Sequence, residues 1–245
     1  TMPGRFAIQR FLRRAVSAGC RYAVLEVTSQ GVLQHRHRFI DWDVAAFTNL
    51  SPEHVESHGS FEAYREAKLS FFRSLGQSRK RLRRFVVNVG DLNAGHFEDA
   101  ASAVADHQLI PFRVSKLPRA LTGAALGNPR LATPFNLENV AAAWGAVSAL
   151  GVSEGEAVQA LAAFEGVPGR FEEIQREPFR VIVDYAHTPD SLDAVYRALR
   201  STLPPSGRLI GVLGAAAGGR DTWKRPVMGK IAPEQCDAVI LTNED

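Results

Sequence analysis

Three stretches of this chain repeat one design, an apolar run of strand length that ends in polar residues. They are YAVLEVTS (22–29), VAAFTNLS (44–51) and RFVVNVGD (84–91). Short continuous apolar runs suit strands covered on both faces, and such strands occur in parallel sheets flanked by helices. Helical patterns stand between them. Residues 5–18 put Phe6, Ile8, Phe11, Leu12 and Val16 on a helical stripe among arginines, and residues 61–75 do the same with Phe61, Tyr64, Phe71, Phe72 and Leu75. The alternation predicts an α/β fold with a parallel sheet. Ligands of such sheets bind outside the carboxyl ends of the strands, so Glu26, Asn49 and Asn88 at three strand tips mark the expected functional edge.

The middle of the chain is less regular. Residues 92–134 read as short strands and turns. FNLENVAAAWGAVSALG (135–151) is a helix with Leu137, Val140, Ala141, Trp144, Val147 and Leu150 on one face and Gly151 as its terminator. A further helix covers roughly 153–165, GVPGR (166–170) is a turn, and a linker follows near 173–179. A second α/β segment then begins. In RVIVDYAHTPDSLDAVYRALR (180–200) a strand and a turn lead into a helix that Thr188 can cap, with Pro189 at its first position, Asp190 at the positive end of its dipole, and Leu192, Val195, Tyr196 and Leu199 inward. Residues 207–219 run from a strand into a glycine- and alanine-rich turn, and DAVILTNED closes the chain as another strand.

Composition excludes several classes. Hydrophobic residues make up 45% and charged residues 22%, the balance of a globular protein. An excess of 29 basic over 26 acidic side chains is too small to argue for nucleic acid. The basic run SRKRLRR (78–84) reads as a solvated loop, with a binding patch as the alternative. Cys20 and Cys236 do not form a disulfide framework, which suits a reducing cytoplasm. No apolar run has the length of a membrane span. The chain starts at Thr1 and stops at Asp245 directly after a strand, so a segment cut from a longer protein is the expectation.

Few groups in the sequence could do chemistry. SPEHVESHG (51–59) sets His54 and His58 four apart, as zinc peptidases do, but no acid directly follows His54, and Pro52 and Gly59 argue against a long helix through the pair. A turn with satisfied histidines is the alternative. Lys68 falls in line with Phe61, Tyr64, Phe71 and Leu75 on the inward face of its helix. Burial pushes an amine toward neutrality, and a neutral amine can take up carbon dioxide as a carbamate, an oxygen ligand for a hard cation. The alternative is a stem laid along the core with its head in water. Glu26 at a strand tip suits magnesium or plain solvation. The chain holds no G-x-x-x-x-G-K-[ST] phosphate loop.

Six stretches taken in order, LEVTSQGVLQHR, FTNLSPEHVESHGSFEAYREAKLSFF, FNLENVAAAWG, GVPGRFEE, VIVDYAHTPDSLDAV and GGRDTWKRPVMG, resemble the Mur ligases. The resemblance covers nearly the whole chain. It implies the later part of the family's central ATPase domain over 1–175 and the start of its Rossmann-like C-terminal domain over 176–245, without the phosphate loop and the amino-acid-recognition motif. Glu26, His54 and Lys68 match the family's magnesium-holding acid, its metal-binding histidine and its carbamylated lysine, which leaves His58 structural or near the substrate. Thr28, Gln34 and Arg36 match contacts to the muramoyl-peptide substrate. Asn136 and Asn139 match nucleotide-contacting asparagines, Arg170 an arginine near the ATP phosphates and Asp184 an aspartate near the ribose. His187, Arg220 and Lys224 stand in stretches that close over the nucleotide.

The implied activity is ATP-dependent amide ligation in peptidoglycan precursor synthesis. A diamino acid joins UDP-N-acetylmuramoyl-L-alanyl-D-glutamate through an acyl phosphate, with two magnesium ions and a carbamate on Lys68, in a cytoplasmic monomer. This segment alone is expected to be inactive. The alternatives are a binding or structural remnant, a folate polyglutamate ligase of related chemistry and, more distantly, a metal hydrolase. The sequence departs from the family at Gln30, where many relatives have His, at Gly90 within N-x-D-D, in ATPFN, and in GAAAGGRD. These changes bear on nucleotide geometry more than on the metal ligands.

Overall fold

The computed structural model describes residues 2–52, 55–214 and 222–243. The chain divides into two compact units, Thr1–Phe112 and Arg113–Asp245.

The first unit contains α1 (Arg5–Ser17), α2 (Ser29–Leu33), β1 (Val44–Phe47), α3 (Val55–His58), α4 (Phe61–Ser74), β2 (Arg83–Asn88), α5 (Ala94–Ser102) and β3 (His107–Phe112). Its sheet is parallel in the order β1-β2-β3. The central strand β2 buries Phe85, Val86 and Val87 completely, because it is covered on both faces. At the edge, β1 buries only Ala45 and Phe47. Phe47 stacks on Phe97 of α5 at 3.7 Å, and Phe72 of α4 meets Phe97 and Phe85 at 5.0 and 5.4 Å. Ser60 starts α4 by accepting a hydrogen bond from the Ala63 amide at 3.1 Å.

Three expectations for this unit and the next need correction. Residues 22–28 form no strand, and Val24 is 96% exposed. An apolar run supplies side chains, but a strand needs a neighbour's hydrogen bonds, and none of β1–β3 pairs with it. Residues 92–134 hold the short strand β3 and turns as expected, but also two helices, Ala94–Ser102 and Arg119–Gly127, that were not expected. The stripe of α5 is Ala94, Phe97, Ala100 and Ala101, and alanines make a weak periodic signal although they bury well. The helix expected over 5–18 is present as α1, and of its stripe Ile8 is the buried member. The expected linker at 173–179 is largely a hairpin, in which β4 (see below) pairs with the following strand and Glu173 holds Arg176 and Arg180 at 2.6 and 2.8 Å.

The second unit contains α6 (Arg119–Gly127), α7 (Pro134–Ser148), α8 (Glu154–Ala162), β4 (Glu172–Gln175), β5 (Val181–Val183), α9 (Pro189–Ser201), β6 (Ile210–Leu213), α10 (Lys224–Gln235) and β7 (Ala238–Leu241). Buried Asn128 ties α6 to the end of α8 by donating to the Leu161 and Phe164 carbonyls at 3.0 and 2.9 Å. Gly151 takes φ +88° after α7, as a helix terminator requires. Thr188 caps α9 with Ser191, and Pro189 is its first residue. Strands β6 and β7 pair in parallel over a core of Leu192, Tyr196, Leu213, Met228, Ala232 and Cys236. Here Gly211 is needed for space, since a Cβ would meet Tyr196 Oη at 2.7 Å and Cys236 Sγ at 3.0 Å. Burial pushes the Tyr196 phenol up to about 12.

Candidate active site

In the first unit the expected edge is built from three segments. Thr28 ends the extended run 22–28 and caps α2, its Oγ1 accepting from the Gly31 amide at 3.1 Å. Next to it the buried Ser29 hydroxyl meets His58 Nε2 at 3.0 Å. His58 closes the short α3 and lies 5.3 Å from the Tyr64 ring, and Lys68 Nζ stands 5.2 Å from the centroid of the same ring. Tyr64 and Lys68 are one turn apart on α4, so their side chains share a face. The acid-bearing run, the histidine turn and the lysine-bearing helix therefore meet around Ser29, His58 and Tyr64. Glu26 is exposed, two residues ahead of the Thr28 cap. Lys68 is half-buried, as its inward register predicts.

A second network sets the loop that leads into SPEHVESHG. Asn88, at the tip of β2, donates to the Thr48 carbonyl at 2.7 Å. Asp91 accepts from the Leu50 amide at 2.9 Å and from the Asn93 amide at 2.7 Å. Both side chains thus hold backbone rather than face a ligand. Gly90 is tight, because a Cβ there would lie 3.1 Å from Asn88 Oδ1. His54 lies outside the described residues. Among the described residues, no three His, Cys, Asp or Glu side chains group as a metal site. Gln34 is exposed at the end of α2, and Arg36 donates to the Met2 carbonyl.

In the second unit most of the described residues expected near the nucleotide gather. Asn136 and Asn139 stand on the first turns of α7, where Asn136 donates to the Arg130 carbonyl at 2.7 Å and Asn139 to Asn136 Oδ1 at 3.2 Å. The neighbouring Phe135 packs edge-on against Phe171 at 5.6 Å. Phe171 takes φ +48°, a left-handed conformation that a bulky side chain adopts only when its surroundings impose it. Here Asp184 helps to impose it, accepting from the Phe171 amide at 2.7 Å while its other oxygen takes the Ala186 amide at 2.7 Å. Arg170 then lies over the Tyr185 ring at 4.5 Å, and His187 lies 4.8 Å from Tyr185 on an exposed surface. A cation and two rings side by side present a flat, positively charged face suited to stacking and to anions. Lys224 is buried at the first residue of α10, and Arg220 lies outside the described residues.

Sequence reasoning passed over Ser29, Tyr64 and Tyr185. Tyr64 was read only as core, and Tyr185 carries no charge. The proximity of each to an expected site residue was the available signal: Ser29 follows Thr28, Tyr64 precedes Lys68 by one turn, and Tyr185 adjoins Asp184.

A three-stranded parallel sheet, an antiparallel hairpin flanked by the Arg170–Tyr185–His187 face and a second parallel strand pair make this a two-unit α/β protein. The description "Mur ligase middle domain" matches residues 1–116, and "Mur ligase, glutamate ligase domain" matches residues 169–245. The chain belongs to the Mur ligase family. It is 37% identical to UDP-N-acetylmuramoyl-L-alanyl-D-glutamate–2,6-diaminopimelate ligase of Nostoc sp., over 100% of this chain and 52% of that protein. A solved structure of a ligase with the same name superposes with TM-score 0.67 at 28% identity, over 98% of this chain and 51% of the other. A bifunctional folylpolyglutamate synthase/dihydrofolate synthase of Yersinia pestis shares the fold alone, with TM-score 0.53 and 18% identity over 83% of this chain and 48% of that one. The chain spans about half the length of the curated relatives it matches.

Proposed function

We infer that this chain is part of an ATP-dependent amide ligase that adds a diamino acid to UDP-N-acetylmuramoyl-L-alanyl-D-glutamate. The observation that carries this reading is the Ser29–His58 contact at 3.0 Å, which joins the Glu26–Ser29 stretch to α3 and, through His58 and Tyr64, to α4, in a chain 37% identical to a ligase of that name. On this reading residues 1–175 belong to the central domain and 176–245 begin the C-terminal domain. The protein acts in the cytoplasm as a monomer; among the described residues no helix is long and apolar enough to cross a membrane.

The chemistry follows from the side chains. The D-glutamyl carboxylate must accept a phosphoryl group from ATP, and the amine of the diamino acid then attacks the acyl phosphate and releases phosphate. Two anions have to approach one another in the first step, which makes charge neutralisation the main requirement. Glu26, His54 and a carbamate on Lys68 would hold magnesium, which supplies that neutralisation when bound. The described residues fit such a site in one respect, since Lys68 reaches the Ser29–His58 contact through Tyr64, close to the run that carries Glu26. Its half-buried Nζ stands over the Tyr64 ring, a contact that suits the unmodified ammonium. Thr28, Gln34 and Arg36 would position the muramoyl peptide. Asn136, Asn139 and the Arg170–Tyr185–His187 face would hold the nucleotide, and Asp184 sets the backbone on which that face stands. Arg220 and Lys224 would complete it.

The folate-ligase alternative is weaker, because that likeness is one of fold. The test is Lys68→Ala in a protein that extends beyond this chain on both sides. Ligation is expected to vanish and to return in part with added formate or acetate. Full activity in the alanine variant would remove the carbamate from the reading.

A further inference from the structure

The far end of α4 borders a cleft that the reading above does not use. It encloses about 770 Å³, within the range of small-molecule sites. Ser70, Ser74 and Gln77 line one side, and Asp41 and Trp42 line another just before β1 begins. It therefore sits at the amino end of the sheet, whereas Ser60 and His58 mark the carboxyl edge at the start of α4.

The lining is amphipathic. Val32, Leu33, Phe39, Ile40 and Trp42 supply an apolar wall, and Phe39 is 85% exposed. The His37 and Trp42 rings both stand edge-on to Phe71, at 5.8 and 5.2 Å. Trp42 Nε1 also donates to the His37 carbonyl at 3.2 Å. The loop that carries these groups is strained, since His35 and Phe39 take φ +55° and +66°, and such strain gathers at binding sites.

Charge narrows the occupant. Arg79 is committed to Asp41 through bonds of 2.9 and 2.7 Å, and Arg73 is committed to Glu66. Among the described residues the Arg38 guanidinium has neither an ion-pair nor a hydrogen-bond partner. His37 is only 6% exposed, and its Nδ1, unpartnered among the described residues, is itself buried, so it offers no group to the cleft. One uncompensated cation and an apolar wall call for a ligand with a single negative charge on an apolar body. We propose that this cleft binds a small organic monoanion, with its carboxylate at Arg38 and its apolar part against Phe39, Ile40 and Trp42.

The probe is 3-phenylpropionate, titrated into the 245-residue chain labelled with nitrogen-15. The readout is the indole resonance of each tryptophan. The Trp42 signal is expected to move saturably while those of Trp144 and Trp223 stay in place. Arg38→Gln, a change at an exposed side chain, is expected to weaken binding about tenfold, the loss typical of one charge-assisted hydrogen bond. Acetate, which has the charge without the body, and 3-phenylpropanol, which has the body without the charge, are expected to be weaker by at least about the same factor. Absence of a saturable Trp42 shift, equal binding of the alcohol, movement of all three indoles together, or unchanged affinity in a folded Arg38→Gln protein would each overturn the proposal.

Discussion

Helices α1 and α4 carry the same kind of apolar stripe, yet they meet different fates. In α4, Tyr64, Phe71 and Phe72 are buried against the sheet and α5. In α1, Phe6 and Phe11 are 82% and 56% exposed and only Ile8 is covered. Periodicity thus reports that a segment can be a helix with an apolar face. Whether that face is paid for by burial depends on what lies opposite it.

The largest expected effect tests the buried member of this pair. Phe72→Ala removes a ring that touches Phe85 and Phe97, and should cost about 3–5 kcal/mol in urea unfolding. Ser60→Ala removes the cap that starts α4 and should cost about 1 kcal/mol by the same measurement. A pH series sharpens the contrast. Burial against Phe71, followed by the charges of Arg38 and His35, holds the His37 imidazole below its ordinary 6.5. The unfolded chain takes up this proton near 6.5 and the folded chain only at lower pH. Stability should therefore be unaffected above that point and decline below it, and His37→Phe should make the decline shallower. The smallest effect belongs to α1, where Phe11→Ala should stay within about 0.5 kcal/mol. A loss as large as that of Phe72→Ala would mean that the α1 face is covered in solution and would abolish the contrast.

The site was legible to unequal degrees. The inward register of Lys68 and the Thr188 cap followed from local spacing, because a helix fixes which residues share a face. The roles of Asn88 and Asp184 were not legible in the same way. Each sits at a strand tip, where a polar residue can face a ligand or bind backbone, and both bind backbone here. The expected strand at 22–29 failed for a related reason, since its apolar side chains are real but among the described residues no strand pairs with it. His58 was left open between a structural and a substrate role, and its contact with Ser29, a residue 29 positions away, was beyond any local pattern.

Local periodicity, caps and turn residues were enough to place α4, α7, α9 and the strands β1 and β2, since each depends on neighbours along the chain. Folding alone brought Ser29 to His58, laid Arg170 on Tyr185, and left Arg38 without a counter-ion among the described residues in the cleft beside Trp42. Those contacts join residues distant in sequence, and their energies depend on which groups packing excludes from water.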